Sequence, residues 1–303
     1  VELNKIYCGN CLYDMEIIHS NSVDCCVTSP PYFGLRDYGN AEQLGSETTP
    51  EVYVDNLVAV FSEVRRVLKP TGTLWLNLGD SYAGSGEGGQ SDAKKSANWQ
   101  PEYSNKGKRY GLKPKDLIGI PWMVAFALRS AGWYLRQEII WHKPNPMPES
   151  VTDRCTKAHE QIFLLSKSTK YYFDNEAIKT DCKNPADDAR RLRQQTWNNK
   201  NTPDTLRNGI RPKESIAENG KANKRSVWTV NTKPYKEAHF ATFPPALIED
   251  CIKAGCPEGG LVLDPFMGAG TTGLVAKRLN RNYVGFELSA EYIKIAEARI
   301  LKG

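Results

Sequence analysis

A β-strand that runs into two consecutive prolines has to stop, and this happens early in the chain. Residues 23–27 are apolar except for Asp24, and they lead straight into Thr28-Ser29-Pro30-Pro31-Tyr32. Neither proline has a backbone N–H to donate, and the residue before a proline is held extended. The carbonyls around Ser29 and Pro30 are therefore not consumed by regular structure nearby. The pattern describes a stiff strand tip that presents acceptor oxygens next to an aromatic ring, Tyr32. Taken alone, it could equally be a proline turn leaving a strand.

Around that tip the pattern alternates between strands and helices. Residues 2–8 read as a strand, 11–18 as a short helix after the Gly9-Asn10 turn, and 23–28 as the strand just described. Thr49 and Pro50 open a helix in which Tyr53, Leu57, Val60, Phe61, Val64 and Leu68 recur at helical spacing, with Lys69-Pro70-Thr71-Gly72 as its stop. Residues 73–78 form the next strand, so this is a βαβ unit and the sheet is expected to be mostly parallel. A helix over 114–131 and strands over 133–142 and 160–166 follow. Later come a helix opening at Phe243-Pro244-Pro245, a buried strand over 260–263, a helix over 272–279, a strand over 283–286 and a closing helix over 289–300. Residues 79–111 lose apolar periodicity and read as a long loop; its glycines resemble a phosphate loop only superficially.

The second informative stretch is Asp264-Pro265-Phe266-Met267-Gly268-Ala269-Gly270-Thr271-Thr272, between a strand and a helix. Its glycines allow a ligand to approach the backbone, and the helix start offers free N–H groups. Glu287 ends the next strand, at the spacing where nucleotide-binding βαβ units place an acid on ribose hydroxyls. The dinucleotide fingerprint does not match. Asp264 suits an amino-acid ammonium group, and with Glu287 on a ribose the pair favours S-adenosylmethionine over NAD.

Together these stretches resemble the β group of DNA amino-methyltransferases, which methylate cytosine N4 or adenine N6. Thr28 to Tyr32 is similar to the catalytic motif of that family, Asp264 to Thr272 is similar to its cofactor motif, and the order of the two is that of the β group. The resemblance implies an α/β fold: a doubly wound, mostly parallel, Rossmann-like methyltransferase sheet with an inserted target-recognition region. It implies catalytic roles for Ser29, Pro30, Pro31 and Tyr32. It also implies an S-adenosyl-L-methionine site lined by Asp264, Phe266, Gly268, Gly270, Thr271 and Glu287, flanked by His239 and Phe240, with Asn10 near the adenine where the family often has an aspartate. Tyr32 is the stacking candidate for a flipped base, with Phe33 or Trp141 as further walls. Ser-Pro-Pro-Tyr leans to cytosine N4 in this family, and adenine N6 is the alternative. Cys25 and Cys26 lie inside the strand, so the nucleophilic cysteine of cytosine C5 methylation has no counterpart at the tip.

Charge points to the partner. The chain carries +5 overall, yet residues 179–236 hold 14 Lys and Arg against 6 Asp and Glu, a local +8 that leaves −3 for the remainder. A one-signed basic stretch on an acidic body is the footprint of a polyanion-binding surface. The expected layout is a catalytic domain from 1–174 and 237–303, with a basic target-recognition insertion at 175–236. Within the insertion, Arg190, Arg191, Arg193, Gln195, Asn198, Arg207 and Arg211 are candidate contacts to double-stranded DNA, joined by Arg36, Trp141 and Lys143. The family adds a homodimer and a separate cognate restriction endonuclease as expected partners. An RNA or protein-amide methyltransferase, or a DNA-binding regulator with a vestigial site, are the rival readings.

Other classes are excluded on composition. No apolar run is long enough to span a bilayer and residues 1–5 carry no signal-peptide hydrophobic region, so no membrane partner and a cytoplasmic, DNA-associated location are expected. Eight cysteines are too sparse for a disulfide scaffold, and the Cys8–Cys11 pair has no second pair at zinc spacing, so no metal site is expected.

Overall fold

The computed structural model describes residues 1–35, 39–40, 42–84, 110–181, 221–233 and 243–303. They fall into two compact units, Val1–Phe173 with Ser226–Gly303, and Asp174–Arg225.

In chain order the elements are β1 (Lys5–Cys8), α1 (Cys11–Asp14), β2 (Val23–Thr28), α2 (Pro50–Val67), β3 (Leu68–Leu78), α3 (Ile120–Ser130), β4 (Tyr134–His142), β5 (His159–Ser166), β6 (Thr180–Asp181), β7 (Lys221–Ala222), β8 (Val227–Thr229), α4 (Pro245–Gly255), β9 (Leu261–Asp264), α5 (Thr271–Arg278), β10 (Asn282–Glu287) and α6 (Ala290–Lys302). The main sheet has eight strands in the order β1-β10-β9-β2-β3-β5-β4-β8. Strand β5 runs antiparallel to both its neighbours, while the other pairings in that sheet are parallel. Residues 227–229 thus belong to the main sheet, although they fall within the stretch read from sequence as the insertion. The second unit contains the short β6–β7 ladder, closed by a Lys221–Asp181 ion pair.

Helices cover both faces. Cys26, Leu74 and Leu76 point into a core shared with Tyr53, Leu57 and Phe61 of α2 and Val124 and Leu128 of α3. The alternation of a strand sends Cys25, Thr73 and Trp75 to the other face, where Gly255 at the end of α4 approaches all three. Thr49 caps α2 by accepting from Val52 N, with Pro50 in the first turn.

Two boundaries differ most from the sequence reading. Strand β3 begins at Leu68, not at Thr73, because Leu68 already pairs with Val23 and a register shift absorbs residues 69–72. The lysine in that shift, Lys69, is tied down at 2.7 Å to Asp24. Helix α3 starts at Ile120 and not near Pro114. Its cap comes from another part of the chain: Asp80 Oδ1 accepts from Gly119 N at 3.0 Å and from Ile120 N at 3.1 Å. A cap supplied by a residue 40 positions upstream leaves no local signature.

Gly255 tests this packing. A Cβ there would sit 2.5 Å from Trp75 Nε1 and 2.8 Å from Cys25 Sγ. Gly255→Ala should lower unfolding free energy by about 1–3 kcal/mol through overpacking, measured by urea denaturation.

Candidate active site

Because the sheet is nearly all parallel, the carboxyl ends of β1, β2, β3, β4, β9 and β10 lie along one edge, which is where open α/β sheets bind ligands. Strand β5 runs the other way, so its beginning lies at that edge. The two sequence stretches meet here. Strands β2 and β9 are neighbours, with Cys26 opposite Leu263, and this brings Thr28 beside Asp264.

Asp264 is 1% exposed, and its carboxylate gathers the surrounding backbone. Oδ1 accepts from Thr28 Oγ1 at 2.6 Å and from Phe266 N at 3.0 Å, and Oδ2 accepts from Thr272 Oγ1 at 2.6 Å. Thr272 Oγ1 also lies 3.3 Å from the Val27 carbonyl. One buried acid thus joins the proline tip, the glycine loop and the start of α5. Burial pushes its pKa up to about 6, against the pull of the two threonine hydroxyls and the Phe266 amide. The ammonium contact read from sequence would have to compete with these donors, which the protein itself supplies.

Glu287 sits at the end of β10, one strand over. It accepts from Gly268 N and Ser289 N, both at 2.9 Å, and burial raises its pKa. The glycine loop is therefore folded onto this acid. Gly268 (φ 51°) and Gly270 (φ 75°) both take the left-handed conformation. A Cβ on Gly268 would meet nothing closer than 3.9 Å, whereas one on Gly270 would press on Ala296 at 2.7 Å. Gly270 is thus required by helix packing, while Gly268 borders open space above the loop. Open space over a glycine, with a carboxylate at the adjoining strand end, fits a nucleoside-bearing cofactor. Asn10 lies just past the end of β1, whose Cys8 pairs with Glu287; its Oδ1 caps α1 through Leu12 N at 3.0 Å.

The proline tip is held from several sides. Tyr53 Oη donates to the Pro31 carbonyl at 2.8 Å. The Tyr32 ring lies against the backbone at the end of β3, so close that a Cβ on Gly79 would be 2.4 Å from Tyr32 Cε2. Tyr32 Oη is 3.4 Å from Ser29 Oγ, 3.1 Å from Asn77 Oδ1 and 2.8 Å from Glu160 Oε2. Burial, then the Glu160 charge, pushes the phenol pKa well up, so the ring stays neutral. Lys143 pairs with the other oxygen of Glu160.

Some residues singled out in the sequence stand elsewhere. Phe33 is 1% exposed and packs on Tyr53 and Tyr110, so it belongs to the core and is no wall for a base. Trp141 is 3% exposed, donates Nε1–H to the Val230 carbonyl at 2.8 Å and is a sheet residue. Lys143 lies over the Trp141 ring and holds Glu160, so it is not free to meet a phosphate. Cys26 is fully buried and its thiol pKa is driven up by burial and by the Asp264 charge, the opposite of a nucleophile. Arg36, Arg190, Arg191, Arg193, Gln195, Asn198, Arg207, Arg211, His239 and Phe240 lie outside the described residues. Asn77 and Glu160 were missed; their only signal was a polar residue at the end of an apolar strand.

The raised Asp264 pKa has a consequence for stability. A folded value of about 6 lies above the ordinary 3.8, so the contribution of this group is fully present below about pH 4 and is lost as pH rises through 6. Compared with Asp264→Asn, which does not titrate, the wild type should gain up to about 3 kcal/mol between pH 7 and pH 4. Urea melts of both proteins across that range measure the difference.

Comparison with known proteins agrees with this geometry. A family model described as DNA methylase (N6_N4_Mtase) matches residues 23–298. The Type II methyltransferase M.SmaI of Serratia marcescens is 46% identical over 298 residues, covering 98% of this chain and 91% of that protein. M.Cfr9I of Citrobacter freundii is 45% identical over 302 residues, covering 99% and 89%. Among solved structures, the cytosine-N4-specific PvuII DNA methyltransferase superposes with a TM-score of 0.64 at 20% identity, covering 97% of this chain and 85% of its own. A Thermus thermophilus protein, a putative DNA modification methylase complexed with S-adenosyl-L-methionine, gives 0.59 at 21%, covering 98% and 93%. The fold is that of these methyltransferases, and the sequence relationship places the chain in the N6/N4 DNA methylase family.

Proposed function

We propose that the protein methylates the exocyclic amino group of a base flipped out of double-stranded DNA, with S-adenosyl-L-methionine as donor and cytosine N4 as the target. Adenine N6 is the second reading, since both bases present an amino group beside a ring nitrogen. The observation that carries the proposal is the 2.6 Å bond from Thr28 to Asp264, which sets the Ser29–Pro30 acceptors and the glycine loop side by side. The serine in the tip and the cytosine-N4-specific fold neighbour support cytosine.

The cofactor would be held by Phe266, Gly268, Gly270, Thr271 and Glu287, with Asn10, His239 and Phe240 around its nucleoside and Asp264 shaping the loop from behind. When bound, it supplies a methyl group on a sulfonium, which is electrophilic without further activation. The protein's task is on the other side. An amino nitrogen on a base is a poor nucleophile because its lone pair is delocalised into the ring. Ser29 Oγ and the Pro30 carbonyl accept its two hydrogens, which favours a pyramidal nitrogen with a localised lone pair. Most of the acceleration is then positioning and electrostatic preorganisation. The base must leave the duplex, and Tyr32 offers a surface on which to stack. The basic stretch around 190–211 reads the target sequence and holds phosphates. A cognate endonuclease fits the Type II relatives, and a homodimer fits the β-group order.

Ser29→Ala should slow single-turnover transfer of labelled methyl to DNA on the order of 100-fold while cofactor binding persists. Cys26→Ser should keep the wild-type rate in the folded protein, and its loss would favour ring-carbon chemistry. Sequencing of DNA from cells expressing the protein reports base and site together; N6-methyladenine alone would select the second reading.

DNA affinity should fall steeply with salt, with log Kd linear in log salt concentration at a slope set by the phosphates contacted. A flat dependence in fluorescence anisotropy would remove the basic stretch from the interface.

A further inference from the structure

We infer that Glu160, anchored by Lys143, is the positioning residue that fixes the direction of the hydroxyl hydrogens at the tip, so that Ser29 meets the base amino group as an acceptor. The inference rests on the reading of Ser29 given above. A serine hydroxyl is both donor and acceptor. Both candidate bases carry an acceptor ring nitrogen next to the amino group. An undirected Ser29 would point its hydrogen at that nitrogen, or at the amino group itself, and would then fail in the role assigned to it.

The surrounding groups remove this freedom one by one. Lys143 has only donors, so the Glu160 Oε1 it touches is an acceptor. Asn77 Nδ2 donates to the Gln161 carbonyl at 3.1 Å and lies 3.3 Å from Glu160 Oε2, which fixes its amide so that Oδ1 faces Tyr32. Tyr32 Oη therefore meets two acceptors, Asn77 Oδ1 at 3.1 Å and Glu160 Oε2 at 2.8 Å. Its one hydrogen is committed to them. Only lone pairs remain toward Ser29, whose hydrogen accordingly points to Tyr32 across 3.4 Å. The Ser29 lone pairs are left for the substrate. The chain of bonds runs one way, from Ser29 through Tyr32 to Glu160, and Lys143 closes it.

The fold makes the arrangement rigid. Ser29 and Tyr32 leave β2, Asn77 is near the end of β3, Glu160 is near the start of β5 and Lys143 follows β4. Gly79 lets the Tyr32 ring lie on the backbone. The side chains of Lys143 and Glu160 are only 17% and 14% exposed, so water does not average their geometry.

The test is Glu160→Gln, read by single-turnover methyl transfer to DNA. Lys143 forces the new amide to turn its oxygen to the ammonium and its NH2 to Tyr32. The NH2 then donates to Tyr32 Oη and competes with Ser29 for the lone pairs there, while Asn77 Oδ1 alone is left to take the Tyr32 hydrogen. Transfer should slow about 30-fold or more, while equilibrium binding of S-adenosyl-L-methionine and DNA stays within about twofold. Adding Lys143→Met frees the amide to turn round and should recover at least about tenfold of the loss. In a Tyr32→Phe background, which already lacks the link, Glu160→Gln should change the rate less than about twofold. An unchanged rate in Glu160→Gln, or an equal loss with and without the Tyr32 hydroxyl, overturns the inference. Should Glu160→Gln lack a cooperative melt, Tyr32→Phe decides alone: it should lose about tenfold or more, and a wild-type rate overturns the proposal. No transfer to DNA by the wild type would instead overturn the reading on which this rests.

Discussion

The carboxylate of Asp264 is what the two halves of the site have in common. A carboxylate out of water must be given donors, and here it takes them from Thr28, Phe266 and Thr272. Thr28 is 236 residues away in sequence. The same burial that raises its pKa makes each donor hard to remove, because a freed oxygen would find no water in exchange. The proline tip and the glycine loop are consequently fixed relative to one another. How the proline tip sits relative to the glycine loop follows from this cluster and not from either motif alone.

Topology decides what else can reach that point. In a sheet of parallel strands only strand ends meet the ligand edge, which is why Thr28, Asp264 and Glu287 all close their strands. The reversal of β5 is the exception. It brings a strand beginning to the same edge and lets Glu160 face Tyr32, while the antiparallel pairing of β4 with β5 sets Lys143 next to it. One reversed strand thus delivers an ion pair to a position that parallel connections would have filled with a loop.

Much of this was legible in the sequence. The strand at 23–28 and the capped start of α2 came from periodicity and local signals, and the two motifs announced the family. What escaped depends on contacts between distant residues. The start of α3 is set by Asp80 from 40 positions upstream, and the early start of β3 by pairing of Leu68 with Val23. Trp141 could stack or pack by composition alone; its bond to Val230 settles the matter. Glu160 and Asn77 carry no spacing signal because they meet each other and Tyr32 from three different strand ends. The sequence role for Asp264 was a ligand contact; the structure adds its bonds to Thr28, Phe266 and Thr272, which no local pattern announces.

Ser29 also explains why such a network is needed here. A carboxylate in its place would accept from any direction and would need no orientation. A hydroxyl has one hydrogen that must go somewhere, and the productive choice is the one pointing away from the base. A tip built on serine therefore requires a polar partner behind it that takes hydrogens and gives none back. Tyr32 is such a partner only while its own hydrogen is drawn off, and the Glu160 carboxylate under Lys143, with Asn77 Oδ1 beside it, draws it off. On the proposed reaction, the ion pair at the edge of the sheet is in this sense part of the serine tip, since it would decide which face of the hydroxyl the base meets.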